Sequence, residues 1–299
     1  MLNWEIFFGV VSALLIFDLC FLNRSDHKLS FDKSMKQSAF FVGVGLLFGL
    51  WIQYSMGTDS SLKYYNGYLI ELALSIDNIF IISLIFLHFN VDPKYQHRAL
   101  FWGIIGAILF RGLMIYVGVG LVERFSWILY IFAFILIYTS WHLYRTMDEK
   151  PDLKDNLIVK IITQYIPLYP KEGKNFLIYD SKWFITRTGM ALCVIEFMDL
   201  IFAIDSIPAI FAITTDSYLV YSSNIFAIMG LRAMYFGLSG VIEKFFYIKY
   251  SLVAILFLIG IKILIHNFIT LSPVLPLAVT LVIFGAGIIA SIYLPQKIS

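Results

Sequence analysis

Two acid-bearing stretches inside otherwise apolar sequence hold the residues that could do chemistry. Glu71-Leu-Ala-Leu-Ser-Ile-Asp77-Asn78 sets an acid, a second acid six residues on, then a small polar residue, and Asp199-Leu-Ile-Phe-Ala-Ile-Asp205-Ser206 repeats that order. Glu196 and Asp18 place two further carboxylates in apolar runs. An ionised acid at the centre of a membrane helix costs roughly 2.5–3.5 kcal/mol on insertion scales, so carboxylates in this number need a common cause. Structural pairing is one cause: Arg111, Arg232 and Lys262 also sit in apolar runs and could lock helices together as buried ion pairs. Three deep bases cannot neutralise six acids, and adding Arg187 near a helix end still leaves two over. That surplus predicts a cation or proton site.

The donor types narrow the ion. Beside the carboxylates stand Asn78, Ser75, Ser206 and the carbonyl of Ile204, whose helical hydrogen bond Pro208 blocks. Oxygen-rich sets suit magnesium, calcium or manganese, whereas zinc and copper favour His and Cys. Met190 and Met198 offer thioethers that would tilt the choice toward manganese, with ordinary helix packing as the other reading. His142 and His266 fall near span ends, where interfacial anchoring is the simpler role. Glu196 and Asp199 are three apart and share a helix face, but Glu196 and Asp205 are nine apart and point in nearly opposite directions. Either Asp205 has another role or the helix unwinds near Pro208. No P-loop, H-E-x-x-H, G-x-S-x-G or dinucleotide fingerprint occurs, so the chain reads as a non-enzyme with no catalytic cofactor and no ATP-driven step.

The elements that must position these groups are membrane helices. Of 299 residues 60% are hydrophobic and only 14% charged, which places most of the chain in lipid. A net charge of +2 is too small to suggest a nucleic-acid partner. Cys20 and Cys193 read as small buried hydrophobes without a disulfide framework. A span needs about 20 predominantly apolar residues. The pattern predicts an all-α polytopic fold in one domain over 1–299, with about nine spans near 5–22, 38–56, 66–89, 98–121, 125–144, 183–213, 222–242, 250–266 and 273–294. The first reads as a retained span and not a signal peptide. The sixth is too long for one straight crossing and is expected to kink or break at Pro208.

Of the 22 Lys and Arg residues, 16 fall in alternate loops and the C-terminal tail, two (Lys63, Arg124) in the opposite loops, and four within spans. Positive charge stays inside, so the N-terminus is predicted outside and the C-terminus cytoplasmic. The cytoplasmic loop 146–182 carries Leu153, Leu157, Ile158, Ile161, Ile162 and Tyr165 at helical spacing, which predicts a short amphipathic helix on the inner leaflet or a plain connector. It is also the candidate surface for protein partners.

The third and sixth spans match in their acids at an offset of 128 residues. The spans that follow match in Arg111 and Arg232 at 121, and in Glu123-Arg124-Phe125 and Glu243-Lys244-Phe245 at 120. An odd number of spans separates the two starts, so the halves are expected to be inverted-topology three-helix repeats with substrate held mid-membrane.

At these residues the sequence resembles the TerC family of integral membrane proteins, which includes Alx-type manganese exporters. The likeness is carried by Glu71 to Asn78, by Ile195-Glu196-Phe-Met-Asp199-Leu-Ile-Phe-Ala-Ile-Asp205-Ser206-Ile-Pro208, and by Ser223-Asn224-Ile-Phe-Ala-Ile-Met-Gly230-Leu-Arg232-Ala-Met-Tyr235-Phe236. The resemblance implies manganese(II) efflux across a bacterial inner membrane, with Glu71, Asp77, Asn78, Glu196, Asp199, Asp205 and Asp18 lining the metal path. Two departures, Thr186-Arg187 where the family pattern has Thr-Pro and Trp141-His142 where a lysine is common, lie toward the cytoplasmic face. The leading expectation is a secondary exporter of manganese(II), with protons as counter-ion. The alternatives are a metal-binding membrane scaffold acting on other proteins and a proton-coupled exporter of another cation or an organic solute.

Overall fold

The computed structural model describes residues 2–18, 31–146, 157–169, 175–180, 182–238, 247–265 and 274–293. Cys20, His266 and the rim segment 243–245 lie outside the described residues, as do the side chains of Asp77 and Arg232. The elements run α1 (Leu2–Phe17), α2 (Phe31–Met56), α3 (Thr58–His88), α4 (Pro93–Arg124), α5 (Ile128–Thr146), α6 (Leu157–Tyr165), β1 (Leu177–Asp180), β2 (Lys182–Ile185), α7 (Arg187–Phe211), α8 (Ser217–Leu238), α9 (Ile248–Ile265) and α10 (Val274–Tyr293).

Among the described residues six helices are long and apolar enough to cross a membrane: α2 from Asp32, α3, α4, α5, α9 and α10. Their outward faces carry large apolar side chains, such as Leu47, Leu113, Phe134 and Ile292, as a lipid-facing surface must. The most enclosed helix is α8, in which every residue from Tyr218 to Leu231 is buried, including Ser222, Ser223 and Asn224. A helix buried on all sides sits at the centre of a bundle. It packs against α2, α3 and α4, while α7 packs against α3, α4 and α5.

The α2–α3 hairpin turns at Gly57, whose φ of 87° suits glycine. Ser61, Tyr64 and Tyr65 of α3 donate hydroxyls to the carbonyls of Gly49, Gly45 and Leu46 on α2 at 2.8–2.9 Å. Gly45 and Gly49 let the rings of Tyr68 and Tyr65 lie against the α2 backbone, the close approach that small residues permit between membrane helices. Pro93 opens α4 behind Asp92, whose side chain caps the Lys94 amide at 3.0 Å.

The structure revises two expectations. The sixth segment is expected to start at 183 and to kink or break at Pro208; 183–185 instead belongs to β2, and α7 runs unbroken through Pro208 to Phe211. Proline removes one amide near the helix end, and the amides of Ala212 and Thr214 still close on the carbonyls of Pro208 and Ile210. The second concerns the loop 146–182, which holds the expected helix as α6 and also an antiparallel hairpin of β1 and β2. That hairpin is fastened to the start of α7, because Phe176 accepts from the amide of Thr186 at 2.9 Å. Thr186 caps α7 through Gly189 at 3.0 Å, so the Thr186-Arg187 departure keeps the cap and changes only the first helical residue.

Candidate functional site

Four helices deliver polar side chains to one point in the bundle. Arg111 of α4, only 1% exposed, gives Nε and Nη2 to the two carboxylate oxygens of Asp199 on α7 at 3.1 and 2.8 Å. Its Nη1 donates to Glu71 Oε1 on α3 at 2.5 Å, to Asn224 Oδ1 on α8 at 2.9 Å and to Ser206 Oγ on α7 at 3.3 Å. Asn224 completes the ring by donating Nδ2 to Glu71 Oε2 at 3.0 Å. Its two partners fix the amide orientation, since the oxygen must face the guanidinium and the nitrogen the carboxylate. Asp199 and Ser206 reach the same guanidinium because seven residues make about two helical turns.

The neighbouring carboxylate is handled differently. Glu196 lies one turn before Asp199 on α7, and its head rests on α4 where Gly103 and Gly106 leave space. A Cβ at Gly106 would collide with the Glu196 carboxyl group, so the glycine is what admits it. Both carboxylate oxygens of Glu196 are buried and accept no hydrogen bond among the described residues. A cavity of about 40 Å³ opens there, lined by Asn78, Glu196, Met198 and Asp199 among apolar residues of α3, α4, α7 and α8. A water needs at least about 10–15 Å³ of such space, so the cavity has room for a few particles of that size.

The remaining candidates separate from this point. Asp205 faces α5 and accepts from Thr139 Oγ1 at 2.9 Å, so its different role, and not unwinding, resolves the nine-residue spacing. Asp18 is buried just past α1 and does not line the cavity. Lys262, expected among the acids, donates instead to the carbonyl of Ala212 at 3.0 Å, at the C-terminal end of α7 where a cation complements the helix dipole. Met190 is buried away from the cavity, and His142 stacks its ring on Tyr138. Among the described residues no three of His, Cys, Asp and Glu gather in one group able to hold a metal ion. Among the acids expected to line the metal path, Glu71 and Asp199 are separated by Arg111, which occupies the space between them.

Asn224 is the site residue that the sequence reading did not select. The signal was Ser222-Ser223-Asn224 in mid-helix, polar residues that an apolar segment carries only at a cost. A second cavity of about 400 Å³ lies at the far end of α7, bordered by Glu123, Ser126, Tyr130, Thr214 and Thr215.

Fold and site together define an all-α, multi-pass integral membrane protein with a charged centre. The family model for the integral membrane protein TerC family matches residues 56–298. The chain belongs to the TerC family. It is 47% identical over 293 residues to a membrane protein of Rickettsia bellii, covering 97% of each chain. It is 39% identical to a membrane protein of Myxococcus xanthus, covering 97% of this chain and 91% of that one. A Photorhabdus laumondii protein named as a membrane-bound redox modulator, Alx, is 37% identical over 278 residues, covering 89% of this chain and 87% of its own. No solved structure matches the chain.

Proposed function

We propose that this protein is a secondary exporter of a divalent cation, with manganese(II) as the substrate, in a bacterial inner membrane. The observation that carries the reading is Glu196, whose two carboxylate oxygens are buried and, among the described residues, unpartnered on a cavity wall shared with Asp199 and Asn78. A carboxylate in that position must carry a proton or a cation, because an unpaired buried charge is prohibitively costly. Carboxylate and amide oxygens are hard donors suited to manganese, magnesium or calcium, and Met198 adds a softer one that tilts toward manganese.

The packing of the helices supports transport by inverted repeats. α3 packs on α8 and α4 on α7, while α3 meets α7 and α4 meets α8. A two-fold axis exchanging α3 with α7 and α4 with α8 would produce that pattern, with the substrate cavity between the exchanged helices. With the N-terminus outside, the cavity beside Glu123 is the exterior vestibule and protons entering the cell are the counter-ion.

The test is manganese flux into liposomes containing the purified full-length protein. Glu196→Gln and Asp199→Asn are each expected to lower flux by at least about tenfold, the loss of one charged ligand interaction. Wild-type flux in both variants would overturn the reading.

A further inference from the structure

We propose that Arg111 is a tethered counter-ion: it holds Asp199 until a divalent cation takes that carboxylate, and its release loosens α7 from α4. The inference rests on the reading of the Glu196 cavity as a cation site. The two grips of Arg111 are unequal. Glu71 is 0% exposed and is clamped on its other oxygen by Asn224. Asp199 is 19% exposed and borders the cavity.

A cation bridging Glu196 and Asp199 cannot share Asp199 with a bidentate guanidinium, since like charges repel strongly where the dielectric is low. Asp199 in turn cannot release Arg111 without a replacement, since a buried carboxylate left unpaired is costly. The two occupancies therefore exclude each other. Glu71 and Asn224 retain the guanidinium on α3 and α8 after the exchange, so the bidentate tie from α4 to α7 opens and only the 3.3 Å bond from Nη1 to Ser206 Oγ still joins Arg111 to α7. Substrate would then favour the conformation in which α7 moves, as population shift by differential affinity requires. Arg111 returning to Asp199 expels the cation, which makes it necessary for release as well.

The opposed effects of two substitutions test this on purified full-length protein, with manganese(II) chloride as titrant. Arg111→Gln removes the competitor and is expected to bind manganese about tenfold tighter while flux is lost. Glu71→Gln leaves Arg111 with Asp199 as its one carboxylate partner and is expected to bind about tenfold more weakly. A merely structural Arg111 would give a less stable variant whose manganese affinity is unchanged or reduced, and that outcome overturns the proposal. If Arg111→Gln does not fold, Glu71→Gln decides, and unchanged affinity there refutes it. Opposed affinity shifts without wild-type flux would reject transport and keep the counter-ion. Wild-type flux with equal affinities in all three proteins would do the reverse.

Discussion

Replacing Gly106 by alanine tests whether the Glu196 carboxyl group is positioned for function. The added methyl would fall on both carboxylate oxygens and the carboxyl carbon of Glu196, well inside contact distance. Restoring ordinary contact at about 3.5 Å moves the carboxyl by about 1 Å. Glu196 is the end of a flexible side chain, and the open direction is the cavity of about 40 Å³. A shift of that kind costs about 0.5–1.5 kcal/mol in rotamer strain, while glycine to alanine within a helix returns about 1 kcal/mol. Thermal stability is therefore expected to change little, but the carboxyl group comes to occupy the substrate's space and flux falls at least about tenfold, since 1 Å of misplacement is costly at a preorganised site. Gly103→Ala is the control, because its Cβ would meet Glu196 Oε1 at an ordinary 3.6 Å. Shortening the displaced side chain, as Glu196→Asp in the Gly106→Ala background, should recover part of the flux. Full flux in Gly106→Ala, or equal loss in Gly103→Ala, would refute the reasoning.

Three further substitutions separate the groups that the structure divides. Asn224→Ala removes a hydrogen bond from Glu71 and another from Arg111. Losing partners of charged buried groups should lower stability by about 2–4 kcal/mol, read as a lower unfolding temperature in detergent. Asp205→Asn keeps an oxygen for Thr139. It lies on the opposite helix face from Glu196, so manganese affinity in a calorimetric titration should stay within about twofold of wild type, as for independent sites. Lys262→Ala orphans the Ala212 carbonyl and should cost about 1 kcal/mol of stability without changing manganese flux, whereas an acid partner's removal would change it.

How much of this was legible in the sequence depended on which force did the placing. Lipid selects apolar runs, so the hydrophobic segments marked α2 to α5 and α9 to α10 but not their ends: α2 begins at Phe31 and α4 at Pro93, beyond the apolar parts. Helix ends outside lipid are set by caps, as Asp92-Pro93 shows. Trp183, Phe184 and Ile185 look like the start of a span because they are apolar, yet they pair with Leu177 to Tyr179 across a hairpin. Hydropathy cannot tell such a short strand from the helix beside it.

The site was legible as a charge imbalance and not as a set of pairs. Partners of Arg111 lie 40, 88, 95 and 113 residues away, separations that spacing rules along one helix do not reach. Sequence reading counted Lys262 against the acids, whereas the structure puts it on a carbonyl. The imbalance therefore persists at the site. Among the described residues, Glu71, Asp199 and Glu196, if all ionised, carry three negative charges against the single positive charge of Arg111, which leaves a deficit of two. A dication cancels that deficit, while a monovalent ion leaves one charge buried at substantial cost. Glu196→Gln should thus abolish stabilisation of the protein by manganese(II) in a thermal melt, and a variant still stabilised to the wild-type extent would show that the ion does not bind at this cavity.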